Sequence, residues 1–413
     1  GAFVRAAAKE WGEAADSLKT SDGMVINADG SKQLSYSELA PKAQLTAMQP
    51  SPLKDRKSFK YIGKYGKKVD AHDKSTGQAS FGIDFRREGM LTAVVLRCPT
   101  FGGTVKSFDP AEALKQPGIK AVTKISSGVA VVGEKYWQVS KARNLVQVEW
   151  DKGDNAGLSS ESIQKKYREL MKDGRGKEAH QVGDVEKALK ETKEATTLSA
   201  EYELPYLSHT AMEPMNAVAH VQDDRTDIWV GTQAPTSIRN DAADFLGLSR
   251  EKVTVHNMKY LGGGFGRRST TEYPMEAVEL SQKLKQPVQV IWSREDDTRF
   301  SPMRPINRHH FKGMVKDGKA VAWEHRLGCE SIMRSFLPQA FPQMMPGWLP
   351  SFVKMGVGSI MGGWFGLTDF HGVTAEGTHL HYAIPHQYVG LYSQGLDIPI
   401  HFWRSVGHSY NGL

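Results

Sequence analysis

The apolar runs of this chain, such as Thr92–Leu96 and Gly128–Gly133, have the length of a short strand and fall far below the roughly 18 apolar residues of a membrane span. They are separated by Gly- and Pro-bearing turns and by stretches whose apolar residues recur at helical spacing, which predicts an α+β fold. At 413 residues the chain exceeds one ordinary core, so several folding units are expected.

Val4, Ala7, Ala8 and Trp11 share a helical face, followed by a turn-rich hairpin over Gly23–Leu34 and a short helix near Tyr36–Ala40. The helix has no capping residue before it, as if entered partway. Short strands, clearest at Leu91–Leu96 and Val129–Val132, then surround a helical insert at Ala111–Leu114. A polar connector over 153–196 carries one amphipathic helix, with Ile163, Tyr167, Leu170 and Met171 on one face. Beyond it Thr197–Leu204 alternates as a half-buried strand should. A strand at Ile228–Thr232, a helix from Pro235 to Leu246 ended by Gly247, a strand at Lys252–His256 and a helix through Tyr273–Leu284 follow. Residues 333–401 show little periodicity and read as loops, their apolar and aromatic content suiting a substrate channel. The expected organisation is a leading segment 1–57, a small domain 58–152, the connector 153–196 and a larger domain 197–413.

The net charge of +7 is concentrated at Lys54, Arg56, Lys57, Lys60, Lys64, Lys67 and Lys68, without aromatic stacking residues or a recognition helix beside them. A solvated linker accounts for it better than nucleic-acid binding. Cys98 and Cys329 form no C-x-x-C pair, which excludes a zinc ribbon or an iron–sulfur cluster carried by this chain alone, and leaves one disulfide or none. The sequence does not open with the positively charged start, apolar stretch and small-residue cleavage site of an export signal, so any such signal is expected to have been removed or not included.

Leu261-Gly-Gly-Gly-Phe-Gly266-Arg-Arg lies between a predicted strand and a predicted helix, where bare backbone N–H groups can approach an anion or an oxo group. It satisfies neither G-x-G-x-x-G nor a P-loop. Four stretches occur in the order of the molybdenum hydroxylase large subunits. The first is Asp70-Ala-His-Asp-Lys-Ser-Thr-Gly-Gln-Ala through Asp84, with Gly89-Met-Leu and Gly128-Val-Ala-Val-Val. The second is Pro205-Tyr-Leu-Ser-His209 with Met212-Glu-Pro214. Thr232-Gln233-Ala-Pro235 with the glycine run is the third, and Phe402-Trp-Arg404-Ser-Val-Gly407-His-Ser the fourth. On these, residues 60–413 resemble the molybdopterin-binding subunit of the xanthine dehydrogenase/aldehyde oxidase family. The double arginine and the Trp-Arg-Ser-Val-Gly-His-Ser wording are closest to its isoquinoline-oxidoreductase branch.

The resemblance implies a small α/β hammerhead domain followed by a mixed α+β molybdenum-cofactor domain. It implies a molybdenum–pterin cofactor, in the cytosine dinucleotide form, whose metal is held by the pterin and by no protein side chain. Gln233 would hydrogen-bond an oxygen on the metal, Gly263, Gly264 and Gly266 would cradle the cofactor, Phe265 would wall the pocket, and Arg404 would stabilise negative charge on the substrate or transition state. The implied reaction is hydroxylation of an N-heteroaromatic or aldehyde carbon with water-derived oxygen. Electrons would leave to a small partner subunit with 2Fe–2S clusters, with a cytochrome as a further partner, in the periplasm. The family's catalytic glutamate and its Gly-Gln-Gly loop have no counterpart here, so a fragment cut at both ends, or completion by another chain, is expected. Glu213 reads as structural, a carboxylate that fixes a loop before Pro214.

Two rival readings stand beside this one. Asp369, His371, His379, His381 and His386 would suit a metal-dependent hydrolase. The absent base and the basic stretch would suit a non-catalytic assembly subunit.

Overall fold

The computed structural model describes residues 1–413 apart from 44–52, 65, 173, 175, 346–348, 350, 369–370 and 413. It divides into two compact units, Gly1–Thr76 and Gly77–Leu413.

In the first unit the helix Ala2–Trp11 ends on Gly12, whose φ of 67° suits a residue without a Cβ. An antiparallel meander of Lys19–Ser21, Met24–Ile26 and Gln33–Ser35 leads into the helix Tyr36–Leu39, opened by a capping box between Ser35 and Glu38. Ala7, Val25 and Leu39 form its core.

The second unit is built on a seven-stranded mixed sheet. Its order is Val253–Asn257, Thr226–Val230, Asn216–Val221, Val288–Ile291, Leu91–Leu96, Gly128–Gly133, Ile119–Ile125. Strands from 58–152 and from 197–413 therefore share one sheet. Both faces of its middle are covered. Ala93, Val95, Ala130 and Val132 point into a core with Ala277, Val278 and Leu280 of the helix Glu272–Leu284, while Val94, Val129 and Val131 pack with Val139 and Ala142 of the helix Tyr136–Arg143. Double burial explains why these strands read as unbroken apolar runs rather than as alternation.

A five-stranded sheet runs Thr196–Leu204, Asn307–Lys316, Lys319–Cys329, His386–Tyr392, Lys177–Val182. Its last strand comes from the stretch expected as a connector. The edge strand Thr196–Leu204 has the expected alternation but not the expected burial, since Leu198 is 63% and Tyr202 48% exposed. Alternation reports two unlike faces; whether one is covered depends on the neighbouring layers. The loops expected over 333–401 are also corrected. That stretch holds the helices Ile332–Met344, Ser351–Thr368 and His371–Thr374 and the strand His386–Tyr392. Pro338 and Pro342 inside the first helix erase its pattern, and Gly358 of the second lies where a Cβ would press on Pro342 and the Pro338 carbonyl, so glycine permits the close approach. No described helix is long and apolar enough to cross a membrane. Cys98 and Cys329 are both buried free thiols.

Candidate functional site

Thr226–Val230 and Val253–Asn257 pair in parallel, joined by the helix Pro235–Leu246. Parallel pairing brings their C-terminal ends to the same edge of the sheet, where ligands bind in open α/β sheets. Thr232–Gln233 leaves one strand and the glycine loop 262–266 follows the other, so residues about thirty positions apart converge. Gly266 N donates to Gln233 Oε1 at 3.2 Å, and Gln233 N donates to the Arg268 carbonyl at 2.9 Å. With Oε1 engaged, the Gln233 NH2 remains as the outward donor. A Cβ on Gly264 would collide with the Gln233 amide.

The third segment arrives from the end of the chain. Arg404 N donates to the Phe265 carbonyl at 2.8 Å, and a Cβ on Gly266, whose φ is 101°, would overlap the Phe402 carbonyl oxygen. His209 Nε2 bonds that same oxygen at 2.8 Å. All six residues singled out in the sequence, Gln233, Gly263, Gly264, Phe265, Gly266 and Arg404, thus lie in one constellation. Arg404 is exposed, and its guanidinium makes no ion pair among the described residues. Thr210, Phe265, Arg404 and Val406 take φ values of 49°, 58°, 42° and 51°. Each such backbone costs on the order of 1–3 kcal/mol and persists where surroundings over-determine it, a pattern of binding sites.

Beneath the loop lie the two arginines. Arg268, fully buried, donates to the carbonyls of Gly263 at 2.6 Å, Gly231 at 3.2 Å and Glu213 at 2.8 Å, and pairs with Glu213 Oε2 at 3.1 Å. Glu213 also accepts from Gly262 N at 2.9 Å, Ile83 N at 3.0 Å and Asn216 Nδ2 at 2.9 Å. It is the loop-fixing carboxylate the sequence suggested. Arg267, also fully buried, pairs with Glu272 at 2.5 Å and bonds Ser301 Oγ at 2.7 Å.

His401 and Ser269 escaped the sequence reading. Phe402 N donates to His401 Nδ1 at 2.8 Å, and burial pushes this imidazole down to a pKa of about 4, so it is neutral near pH 7. Its Nε2–H then donates to Ser269 Oγ at 3.1 Å, and Ser269 Oγ donates to the Gly266 carbonyl at 2.5 Å. These bonds tie the third segment to the glycine loop. The signal available was only that both residues flank recognised motifs.

Oxygen-rich ligands suit these parts: a tight backbone turn, an amide whose NH2 is left over, and an exposed arginine whose backbone N–H is bonded to the turn. Gly266→Ala is expected to lower stability by about 2 kcal/mol, because the added Cβ meets both a positive φ and the Phe402 carbonyl. Urea midpoints of the two proteins check this; equal midpoints would contradict the geometry.

The histidine cluster of the hydrolase reading divides. His379 and His381 rings lie 4.8 Å apart, edge to face, whereas His386 Nδ1 accepts from Asp184 N at 3.0 Å. Asp369 lies outside the described residues, as does the His371 side chain. Among the described residues no group of three His, Cys, Asp or Glu is placed to hold a metal ion.

Residues 170–343 match the family described as the molybdopterin cofactor-binding domain. The chain is 29% identical to the isoquinoline 1-oxidoreductase subunit beta of Brevundimonas diminuta, over 86% of this chain and 51% of that one. It is 31% identical to the membrane-bound aldehyde dehydrogenase (pyrroloquinoline-quinone) of Gluconacetobacter polyoxogenes, over 73% of this chain and 41% of that one. The fold superposes on the quinoline 2-oxidoreductase of Pseudomonas putida 86 with a TM-score of 0.56 at 18% identity, covering 82% of this chain and 45% of that one. The chain spans about half the length, or less, of these relatives.

Proposed function

We propose that this chain, which belongs to the molybdopterin-binding large subunits of the xanthine dehydrogenase/aldehyde oxidase type, holds a molybdenum–pterin cofactor at the meeting of Gln233, the glycine loop and Arg404. There it serves the hydroxylation of an N-heteroaromatic or aldehyde carbon with water-derived oxygen. The observation that carries this reading is the bond from Gly266 N to Gln233 Oε1, which leaves the amide NH2 as a fixed, uncharged, non-titrating donor beside an open backbone turn.

When bound, the cofactor supplies the two-electron redox chemistry; the protein supplies position and electrostatics. Gly263 and Gly266 would let the backbone approach the bound pterin, Phe265 would wall it, and Gln233 would offer its NH2 as a hydrogen-bond donor to the cofactor. Arg404, held at its backbone by Phe265, keeps a permanent positive charge where negative charge develops. In this reading 58–152 is the hammerhead domain and 197–413 the cofactor domain. The pterin is the cytosine dinucleotide form, electrons pass to a 2Fe–2S subunit, with a cytochrome as a further acceptor, and the assembly works in the periplasm.

The test is to express the full-length protein with its neighbouring small subunit and to measure molybdenum and released cytosine nucleotide per chain. Near-stoichiometric amounts are expected in wild type. Gln233→Ala is expected to lower metal content or turnover about 10–100-fold, as loss of an orienting group around a metal does. Neither metal nor nucleotide in wild type, under conditions that load a relative, overturns the reading in favour of an assembly role.

A further inference from the structure

The peptide group between Phe265 and Gly266 is bonded at both ends to the other two segments of the site. Its carbonyl accepts from Arg404 N at 2.8 Å, and its N–H donates to Gln233 Oε1 at 3.2 Å. A peptide group is planar and rigid, so the two bonds turn together. A rotation that withdrew the N–H from Gln233 would also carry the carbonyl away from Arg404. One plane therefore sets both the direction of the Gln233 NH2 and the place of the Arg404 backbone.

Left to itself the turn would not keep that plane. Phe265 has a φ of 58° and Gly266 of 101°. A residue with a side chain stays in the left-handed region only where its surroundings hold it there. Glycine permits rotation about its own bonds and does nothing to resist it. The restraint comes through the next peptide group, between Gly266 and Arg267. Arg267 N donates to the Gly264 carbonyl at 2.8 Å, and the Gly266 carbonyl accepts from Ser269 N at 3.0 Å and from Ser269 Oγ at 2.5 Å.

His401 aims that hydroxyl. Its buried ring is fixed at both nitrogens, accepting from Phe402 N at 2.8 Å and donating from Nε2 to Ser269 Oγ at 3.1 Å. The donors run one way, from Phe402 N–H through His401 Nε2–H and Ser269 O–H to the Gly266 carbonyl, and each bond in such a chain polarises the next. The Phe402 carbonyl is held in turn by His209 Nε2 at 2.8 Å. Because Phe402 lies two residues before Arg404, the chain closes a ring: Arg404 to Phe265, Gly266 to Ser269, Ser269 to His401, and His401 back to the backbone that carries Arg404.

Resting on the function proposed above, we infer that Ser269 and His401 are positioning residues, which lock the Phe265–Gly266 peptide plane and so aim the Gln233 NH2 and seat Arg404 in one act. They work through that plane. A cofactor-facing amide and a charge-stabilising arginine, about 170 positions apart in the chain, are thereby kept in register by a single hydroxyl–imidazole pair.

Hydrogen exchange read by mass spectrometry on the full-length protein, before molybdenum is loaded, tests the plane directly, since the Gly266 and Arg404 amides are its two bonded donors. Ser269→Ala is expected to speed exchange about fivefold in peptides covering both 262–268 and 402–407, as loss of one hydrogen bond does, and to leave the strand Leu91–Leu96 unchanged. Ser269→Thr keeps the hydroxyl, and its methyl has room in the cavity of about 400 Å³ that Ser269 borders, so it is expected to match wild type. On the loaded protein, Ser269→Ala is expected to release molybdenum about fivefold faster during dialysis, again restored by threonine. Faster exchange in only one of the two peptides, faster exchange in Leu91–Leu96 as well, no rescue by threonine, or unaltered molybdenum release overturns the inference. A wild-type protein that takes up no molybdenum fails the proposed function, while the exchange comparison still decides whether Ser269 holds the plane.

Discussion

Glu213→Ala is expected to lower stability by about 3–5 kcal/mol, among the largest single-residue effects in the second unit. Glu213 is buried, and its carboxylate accepts from Gly262 N, Ile83 N, Asn216 Nδ2 and the Arg268 guanidinium. Alanine leaves the fully buried Arg268 without its countercharge and strands three further donors. The cost of breaking such a pair is dominated by the orphaned charge, not by the attraction that is lost. Glu213→Gln, which keeps the shape and one of the two acceptor oxygens but loses the charge, should cost less than alanine. Arg268→Met combined with Glu213→Leu should recover part of the loss, since neither charge then remains to be buried. Urea midpoints of the four proteins decide the matter. A Glu213→Ala midpoint within error of wild type would mean that Arg268 reaches solvent or another carboxylate.

The same lattice bears on the site. Arg268 holds the Gly263 carbonyl and Glu213 holds Gly262 N, so loss of Glu213 frees the loop that meets Gln233. Reduced molybdenum content is expected together with reduced stability.

How much of this was legible in the sequence follows from which interactions are local. The helix Pro235–Leu246 begins and ends where Pro235 and Gly247 mark it, because proline at the first turn and glycine after the last are signals read without tertiary context. Leu91–Leu96 was legible because burial on both faces leaves an unbroken apolar run. The face of Leu198 and Tyr202 was misjudged, since alternation cannot say what covers a strand. The helices within 332–368 were missed because Pro338, Pro342 and the glycines conceal their period. Within the site, nothing about Gln233 or the glycine run in isolation places them together. The family resemblance did so, and the structure supplies the cause in the parallel pairing of Thr226–Val230 with Val253–Asn257. His401, Ser269 and the Arg268–Glu213 pair are long-range partnerships between ordinary residues, with no spacing that could announce them.

Stability should also fall steeply between about pH 6.5 and pH 4, before most carboxylates titrate. His309 and His325 lie buried on adjacent strands of the five-stranded sheet, His309 Nδ1 bonded to His325 Nε2 at 2.9 Å and His309 Nε2 to Asn307 Oδ1 at 2.9 Å, with Phe311 stacked on His309 and tilted against His325. Burial, with Arg304 nearby, pushes His309 down to about 3, and burial together with His309 and His310 holds His325 well below the usual imidazole value. His401 joins them at about 4, again chiefly by burial. Each folded-state pKa lies below the unfolded value near 6.5, so on acidification the unfolded chain takes up protons that the native state refuses. The stabilisation is therefore complete above pH 6.5 and is lost as pH falls toward the folded values. Each imidazole contributes a slope of about 1.4 kcal/mol per pH unit in that window, and His401 alone about 3 kcal/mol between pH 7 and pH 4. Because the two sheet imidazoles share a bond, the pair is counted as at least one further group of similar weight, about 6 kcal/mol in all. Carboxylates held down by their partners, such as Glu272 beside Arg267, add to the loss only at lower pH, below their unfolded values near 4.5. Urea midpoints between pH 7 and pH 4 should thus drop steadily, and His401→Gln, which keeps a polar partner for Ser269 but cannot titrate, should flatten the slope by about 1.4 kcal/mol per pH unit. Midpoints that stay level down to pH 5 would mean that these imidazoles reach water in the native state.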